Sequence, residues 1–374
     1  MLICEHCAVS YTTETPRWRC DCGGTLRLEF SARFDLAVLR ERTPSMLPGL
    51  WRYAEALPVP VADAISLGEG LTPLLPLAGP WGNAHFKLDF MMPTGSFKDR
   101  GSALMISQLK RWGVTEIIED SSGNAGASIA AYCARAGIKA HVFVPAQTSA
   151  GKAMQIALYG ARLAKIAGTR EDTSAAALDA AQNIFYASHN RSPYFIHGVK
   201  TLAFELWEQL GFRAPDAVIV PAGNGSLVLG CHIGFSELRN ADMIARLPRI
   251  IAVQAARCAP LARAWQQWMN DPVPVNKGDT IAEGIATAVP IRGRAVLAAV
   301  RETNGLFVTV EEHEILERLK AVALAGLYIE PTSAVALAAL TKLRAQGELG
   351  ADDTVVVELT GSGLKATDKL VKVF

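Results

Sequence analysis

The stretch DAVIVPAGNGSLVLG, residues Asp216 to Gly230, decides the fold. It opens on a short apolar run, DAVIVP (Asp216 to Pro221), with the length and β-branched content of a buried parallel strand. Gly223, Asn224, Gly225 and Ser226 follow, and the chain then takes up a helical period. A strand that passes through a glycine turn into a helix is half of a βαβ unit. The same order recurs outward from this point. IIED (Ile117 to Asp120), AHVFVP (Ala140 to Pro145), ARLAKIAG (Ala161 to Gly168), RIIAVQ (Arg249 to Gln254) and TVVVEL (Thr354 to Leu359) are further strand candidates. Helices are expected over Lys98 to Trp112, Asn124 to Ala136, Ala150 to Tyr159, Thr173 to Ala187, Thr201 to Leu210, Gly225 to Leu238, Val310 to Ala325 and Thr332 to Gln346. The fold class is α/β, with right-handed crossovers.

A chain of 374 residues suggests about two such domains. Its 37 basic and 36 acidic side chains leave a formal net charge of +1, so nothing in the charge points to a nucleic acid or a membrane surface as partner. The first ten residues, MLICEHCAVS, lack the basic flank and apolar core of a signal peptide, and no apolar stretch has bilayer-spanning length. The expectation is a soluble cytoplasmic protein. Seven cysteines without a secretory signal argue against a disulfide framework. Cys133, Cys231 and Cys258 lie in apolar contexts and read as small, inert hydrophobes.

The other four form a pattern: Cys4 and Cys7 as CxxC, twelve residues, then Cys20 and Cys22 as CxC before Gly23 and Gly24. Tetrahedral zinc takes four thiolates from two turns, and neighbouring glycines let backbone amides face the sulfurs. The second pair is one residue shorter than the usual knuckle. Structural zinc and a metal-free, reduced remnant are therefore the two alternatives for this zinc-ribbon-like leader, residues 1–30. His6 is read as a bystander, since four sulfurs complete the site.

Ligands in open α/β sheets gather at the carboxyl ends of strands. Three glycine-rich turns follow strand candidates: SSGNAG (Ser121 to Gly126), AGNGSLVLG (Ala222 to Gly230) and LTGSG (Leu359 to Gly363). A fourth segment, PTGSFKDRG (Pro93 to Gly101), places Lys98 just inside a helix that begins after turn and cap residues. The positive partial charge of a helix start destabilises an ammonium beside it, which favours a nucleophilic lysine. The amides and hydroxyls of Ser121 to Gly126 suit a carboxylate. Ala222 to Gly230 suits a phosphate held by backbone amides without lysine or arginine, and it lacks the GxxxxGK[ST] spacing of a nucleotide P-loop.

Taken together, these four segments resemble the signature segments of fold-type-II pyridoxal phosphate (PLP) enzymes, in the version carried by threonine synthases. EGLTPLL (Glu69 to Leu75), HGVKTLAFEL (His197 to Leu206), TIAEGIA (Thr280 to Ala286) and EPTSAVALAAL (Glu330 to Leu340) also match, so the resemblance runs over nearly the whole chain. It implies two three-layer α/β domains of the tryptophan synthase β-like class. The small one would take residues 93–199, and the large PLP-binding one residues 31–92 and 200–374. Lys98 becomes the Schiff-base lysine and Asn124 the donor to the cofactor's 3′-oxygen. Gly223, Asn224, Gly225, Ser226 and Leu227 become the phosphate cradle, and Thr360 the partner of the pyridine nitrogen. Ser121, Ser122, Gly123, Asn124 and Ala125 would hold the substrate carboxylate. A neutral hydroxyl at the ring nitrogen makes a weaker electron sink than a carboxylate would, which favours elimination or replacement over transamination. Met92, Ser362 and Ala366 depart from the family's asparagine, histidine and aspartate. None of them removes a cofactor contact; they bear on the pocket for the substrate side chain.

The activity implied is that of a PLP-dependent lyase, threonine synthase, converting O-phosphohomoserine and water to threonine and phosphate. The alternatives are another β-elimination or β-replacement on the same scaffold (a threonine or serine dehydratase, a cysteate-synthase-like enzyme) or a non-catalytic PLP-binding homologue. The substrate's phosphate needs a second anion site, for which Lys152, Lys200 and Arg100 are candidates by position. Asp89, Glu205 and Glu330 either support the site from behind or are ordinary cap and surface carboxylates. No histidine is assigned to catalysis. The resemblance also implies a homodimer.

Overall fold

The computed structural model describes residues 1–42, 46–77, 81–148, 150–168 and 170–374; the side chains of residues 150, 152, 170 and 171 lie outside the described set. The chain divides into two compact units, Met1–Gly70 with Lys98–Val199 and Leu71–Phe97 with Lys200–Phe374. The piece expected to run whole over 31–92 is thus divided at Gly70, and residues 31–70 count with the leader and with 98–199.

The second unit is built on a six-stranded sheet in the spatial order Leu306–Val310, Arg249–Ala255, Ala217–Pro221, Val355–Glu358, Ala84–Lys87, Leu74–Leu77. All neighbours are parallel except the last pair. Every residue of Ala217–Pro221 and of Val355–Glu358 is buried, so both faces of the central strands are covered, as continuous apolar runs require. Helices Glu312–Leu324 and Pro331–Ala345 share one apolar cluster with Ile219, Val253 and Val357. Lys87 closes its strand with a fully buried ammonium, 2.7 Å from Glu205 Oε2, 2.8 Å from Thr72 O and 2.9 Å from Gln209 Oε1.

The first unit carries a four-stranded parallel sheet in the order Arg162–Ile166, Lys139–Pro145, Glu116–Glu119, Phe185–Tyr186. Its helices Lys98–Arg111 and Pro193–Val199 approach closely because glycine stands at both contacts. A Cβ on Gly101 would lie 2.6 Å from the Phe195 ring, and one on Gly198 would overlap the Arg100 carbonyl.

The strand candidates all form, within a residue or two of the expected ends. Two helices need correction. The one expected over Thr173 to Ala187 spans Arg170–Ala180, and Phe185–Tyr186 instead pairs with Ile117 and Ile118. Aromatic and β-branched side chains next to an open strand edge favour the ladder over another helical turn. The helix expected from Val310 begins at Glu312, where Glu311 and Glu314 make a capping box, and LFVTV (Leu306–Val310) is an edge strand.

The leader folds as a three-stranded antiparallel sheet in the order Ser10–Tyr11, Leu2–Cys4, Leu26–Leu28. No helix of the described residues is long and apolar enough to cross a membrane.

Candidate active site

In the second unit, strands Ala217–Pro221 and Val355–Glu358 are neighbours, in the register Ala217 to Val355 and Ile219 to Val357. From Ala217–Pro221 the sheet grows in chain order to one side, while Val355–Glu358 and Ala84–Lys87 lie on the other. This is the sheet's topological switch point, where ligands of open α/β sheets bind. The loop Gly223–Leu227 and the segment Thr360–Gly363 leave from the carboxyl ends of these two adjacent strands. Sequence order alone could not have shown this adjacency.

Gly225 is the N-cap of helix Ser226–Asn240, with φ +84°. A Cβ there would overlap Val296 Cγ2, and one on Gly223 would stand 3.0 Å from Ile285 Cα. The loop therefore lies close against its surroundings. Its first-turn amides have no side chain capping them, the arrangement that receives a phosphate. Asn224 and Ser226 are half-buried and Leu227 is buried. Asn224 Oδ1 accepts from Ile291 N at 3.3 Å, so its side chain ties the loop to the following segment.

Thr360 is 1% exposed, and its Oγ1 lies 3.0 Å from Ser333 Oγ and 3.5 Å from Glu330 Oε1. Ser333 was not singled out in the sequence; its Oγ also receives Gly361 N at 3.0 Å. Glu330 stands at the N-cap position of helix Pro331–Ala345 but makes no capping hydrogen bond with its side chain, which lies against Thr360 and Gly361. The carboxylate thus supports Thr360 rather than the helix start. Phe97 N donates to Thr360 O at 2.9 Å, and Lys365 Nζ donates to Thr94 O at 2.8 Å, so the turn that precedes Lys98 is tied to the same segment. Ser362, at the family's histidine position, caps its own turn by accepting from Leu364 N.

In the first unit, Lys98 is the first residue of its helix and is half-buried. Asn124 opens the next helix, Asn124–Ala136, directly after Ser121, Ser122 and Gly123. The two helices are joined near their starts: Ser128 Oγ bridges Asp99 Oδ1 at 2.6 Å and Ser102 Oγ at 2.7 Å, all buried. The Ser121 turn follows strand Glu116–Glu119, which is flanked by Lys139–Pro145 on one side and Phe185–Tyr186 on the other. That is this sheet's own switch point. Ser121 Oγ accepts from Gly123 N at 3.3 Å, and a Cβ on Gly126 would run into the Ser121 carbonyl, so glycine is required for the helix to start this tightly. Ser121, Ser122, Gly123 and Asn124 are half-buried, while Ala125 is buried.

Other sequence candidates have different work. Lys200 is fully buried with its Nζ 2.8 Å from Glu237 Oε1, and Arg100 is fully buried in its helix. Full burial leaves neither side chain available to the substrate phosphate; the Lys152 side chain lies outside the described residues. Glu205 pairs with Lys87, and Asp89 receives Thr72 Oγ1 at 2.6 Å. His141, His189 and His232 each face a glutamate. The four leader sulfurs lie within 4.8 Å of one another, with Cys4 and Cys22 3.6 Å apart and Cys7 and Cys20 3.5 Å apart. The backbone amides of His6 and Cys7 point at Cys4 Sγ. The Tyr11 hydroxyl, 3.0 Å from Cys20 Sγ, is the main reason that thiol is brought down to about 6.

One unit thus offers a lysine and a serine-glycine turn on adjacent helix starts, and the other a bare glycine loop beside a buried threonine at a sheet switch point, which suit an amine nucleophile and bound anions. The family described as pyridoxal-phosphate dependent enzyme matches residues 65–361, and the chain belongs to it, as a fold-type-II member related to the threonine synthases. The threonine synthase of Methanocaldococcus jannaschii is 33% identical over 99% of this chain and 94% of its own length. That of Synechocystis is 36% identical over 84% of this chain and 82% of its own. Among solved structures, the processed threonine deaminase isoform 2 of Solanum lycopersicum is similar with TM-score 0.72 at 25% identity, covering 84% of this chain and 89% of its own.

Proposed function

We propose that this enzyme is a threonine synthase, converting O-phosphohomoserine and water to threonine and inorganic phosphate. The observation that carries the reading is the pair of joined helix starts, Lys98 on one and Asn124 after the serine turn on the other, in a chain that matches threonine synthases over nearly their whole length. PLP, when bound, supplies the electron sink for charge developing beside the amino group. Gly223, Asn224, Gly225, Ser226 and Leu227 would hold its phosphate, Asn124 its 3′-oxygen and Thr360 its ring nitrogen. The amides and hydroxyls of Ser121, Ser122, Gly123, Asn124 and Ala125 grip the amino acid's carboxylate and so fix the torsion of the reacting bonds. Lys98 would hold the cofactor between turnovers, and its amine, freed when the amino acid binds, would take the proton from Cα and then one from Cβ; the substrate's γ-phosphate leaves with its bonding electrons, Lys98 returns a proton to Cγ, water adds at Cβ, and the last proton goes back to Cα.

In the leader, a structural zinc on Cys4, Cys7, Cys20 and Cys22 is supported by four converging sulfurs and by the amides that face Cys4. We also assign a homodimer in the cytoplasm, following the family; the dimer is checked by solution mass. The deciding experiment feeds O-phosphohomoserine to the PLP-loaded protein and measures phosphate and threonine in parallel. Equal yields support the proposal. A 2-oxoacid from threonine or serine, without phosphate release, would instead identify a dehydratase, the reading that likeness to a threonine deaminase favours.

A further inference from the structure

The leader has no task in this chemistry, yet its aromatic side chains bear on the turn assigned to the substrate carboxylate. Trp112 Nε1, one residue past helix Lys98–Arg111, donates to Thr13 O at 2.8 Å and fixes the leader backbone there. Trp18 meets Tyr186 edge-on, with ring centroids 5.1 Å apart and planes at 75°. The guanidinium groups of Arg19 and Arg191 lie over the Trp18 ring at 4.5 and 5.8 Å. Cys20, one of the four clustered thiols, is two residues further on.

Tyr186 is buried and belongs to the edge strand, opposite Ile118. The next residue, Ala187, donates its N to Ile118 O at 2.8 Å. Asp120 is buried as well, and its Oδ2 accepts from Ser174 Oγ at 2.7 Å. One residue earlier, the buried Glu119 takes His189 Nδ1 at 2.7 Å on Oε1 and His189 N at 3.2 Å on Oε2. Glu119 and Asp120, which lead into Ser121, are therefore held from the loop after the edge strand and from helix Arg170–Ala180, and the Tyr186 ring on the edge strand is covered by Trp18.

We propose that Trp18 is a positioning residue for amino-acid binding: the leader holds the Tyr186 ring, the edge strand and the loop after it hold Ile118 and Glu119, and that strand end fixes the amides of Ser121 to Gly126 in the direction that grips a carboxylate. The inference rests on reading that turn as the carboxylate site. Backbone amides bind an anion only when several N–H groups converge, so a loosened base weakens amino-acid binding more than proton transfer at Lys98.

The test compares holoenzymes carrying Trp18→Ala, Trp18→Phe, Tyr186→Leu and Ser122→Ala. Trp18→Ala keeps the parental metal content and binds PLP within about twofold of the parent, while KM and the spectroscopic dissociation constant for O-phosphohomoserine rise about three- to tenfold, the scale of one aromatic pair. Its kcat stays within about twofold. Trp18→Phe restores amino-acid binding, and Tyr186→Leu, which removes the ring that Trp18 meets, weakens it with Trp18 in place. Parental KM in Trp18→Ala or in Tyr186→Leu overturns the inference; so does a parallel loss of PLP, kcat and melting temperature, which marks a general structural effect. If Ser122→Ala leaves amino-acid affinity unchanged, the carboxylate reading and this inference fall together. If Ser122→Ala weakens binding and Trp18→Ala does not, only the role of the leader falls.

Discussion

Gly225→Ala probes the phosphate loop where the backbone leaves least room. At φ +84° an L side chain costs about 1–2 kcal/mol. The added methyl would overlap Val296 Cγ2 and stand 3.1 Å from Cγ1, on a fully buried side chain of helix Gly293–Glu302. Overpacking at such a site adds about 1–3 kcal/mol. The sum, about 2–5 kcal/mol, lowers the melting temperature of a unit of this size by roughly 4–20 °C. Helix Ser226–Asn240 starts at the next residue, so the strain is relieved by moving the first-turn amides that form the anion cradle. Binding PLP must move them back, and each 1.4 kcal/mol returned is about a tenfold loss of affinity. The expected outcome is a PLP dissociation constant raised at least about tenfold, read by visible absorption in a titration of the apoprotein. Val296→Ala makes room for the methyl but leaves the backbone term, so the double variant binds PLP better than Gly225→Ala and worse than Val296→Ala. Parental PLP affinity in Gly225→Ala would refute the assignment of this loop.

Lys98→Ala abolishes phosphate release while PLP still binds without a covalent link, detectable as cofactor lost on dialysis; turnover above background would exclude Lys98. Lys87→Met leaves the buried Glu205 carboxylate without its ammonium and costs about 3–5 kcal/mol, whereas Lys87→Met with Glu205→Leu recovers most of it, both measured by denaturant unfolding. Burial pushes the Glu69 carboxyl up to about 7, outweighing the donors from Leu67, Tyr132 and Ser66. An acid raised in the folded state keeps its proton where the unfolded chain has lost it, so its stabilisation is full below the ordinary carboxylate range and is lost as pH rises to about 7. Melting temperature therefore falls between about pH 5 and 7.5, and Glu69→Gln flattens that slope. Chelation with a strong zinc ligand removes one metal ion per chain and exposes the four thiols to a thiol reagent; unchanged thiol reactivity would mean that the leader carries no metal.

Much of this was legible because strand and helix periods differ and because the turn residues are chemically distinct. AVIVP and VVVE could be read as buried strands from apolar runs alone, and Asn124–Ala136 forms over the expected residues because Gly123 and Gly137 bound it. Ser333 and Glu330 were harder: they meet Thr360 across about 30 residues of sequence, and only the strand order brings them together. The short strands Phe185–Tyr186 and Leu306–Val310 were missed for a related reason, since an edge strand is defined by its neighbour's open ladder more than by its own composition. Asp120 could not be separated from an ordinary strand-end carboxylate, because its partner Ser174 lies on a helix more than 50 residues away.

The treatment of cations follows from the chemistry assigned to Lys98. An aldehyde cofactor reacts with any free amine that reaches it, so an enzyme of this kind gains by binding anions with backbone amides and by committing other amines elsewhere. Residues 121–126 and 223–227 contain neither lysine nor arginine. The lysines that flank these motifs are engaged: Lys87 with Glu205, Lys200 with Glu237, and Lys365 with the Thr94 carbonyl. The first two pairs are almost wholly withdrawn from solvent, where an ion pair adds little net stability but fixes where the charge can go. Replacing Lys200 by methionine would therefore leave Glu237 uncompensated and lower stability without altering affinity for the substrate's phosphate. A selective loss of affinity for O-phosphohomoserine over threonine in a stable Lys200→Met protein would show instead that this amine reaches the substrate.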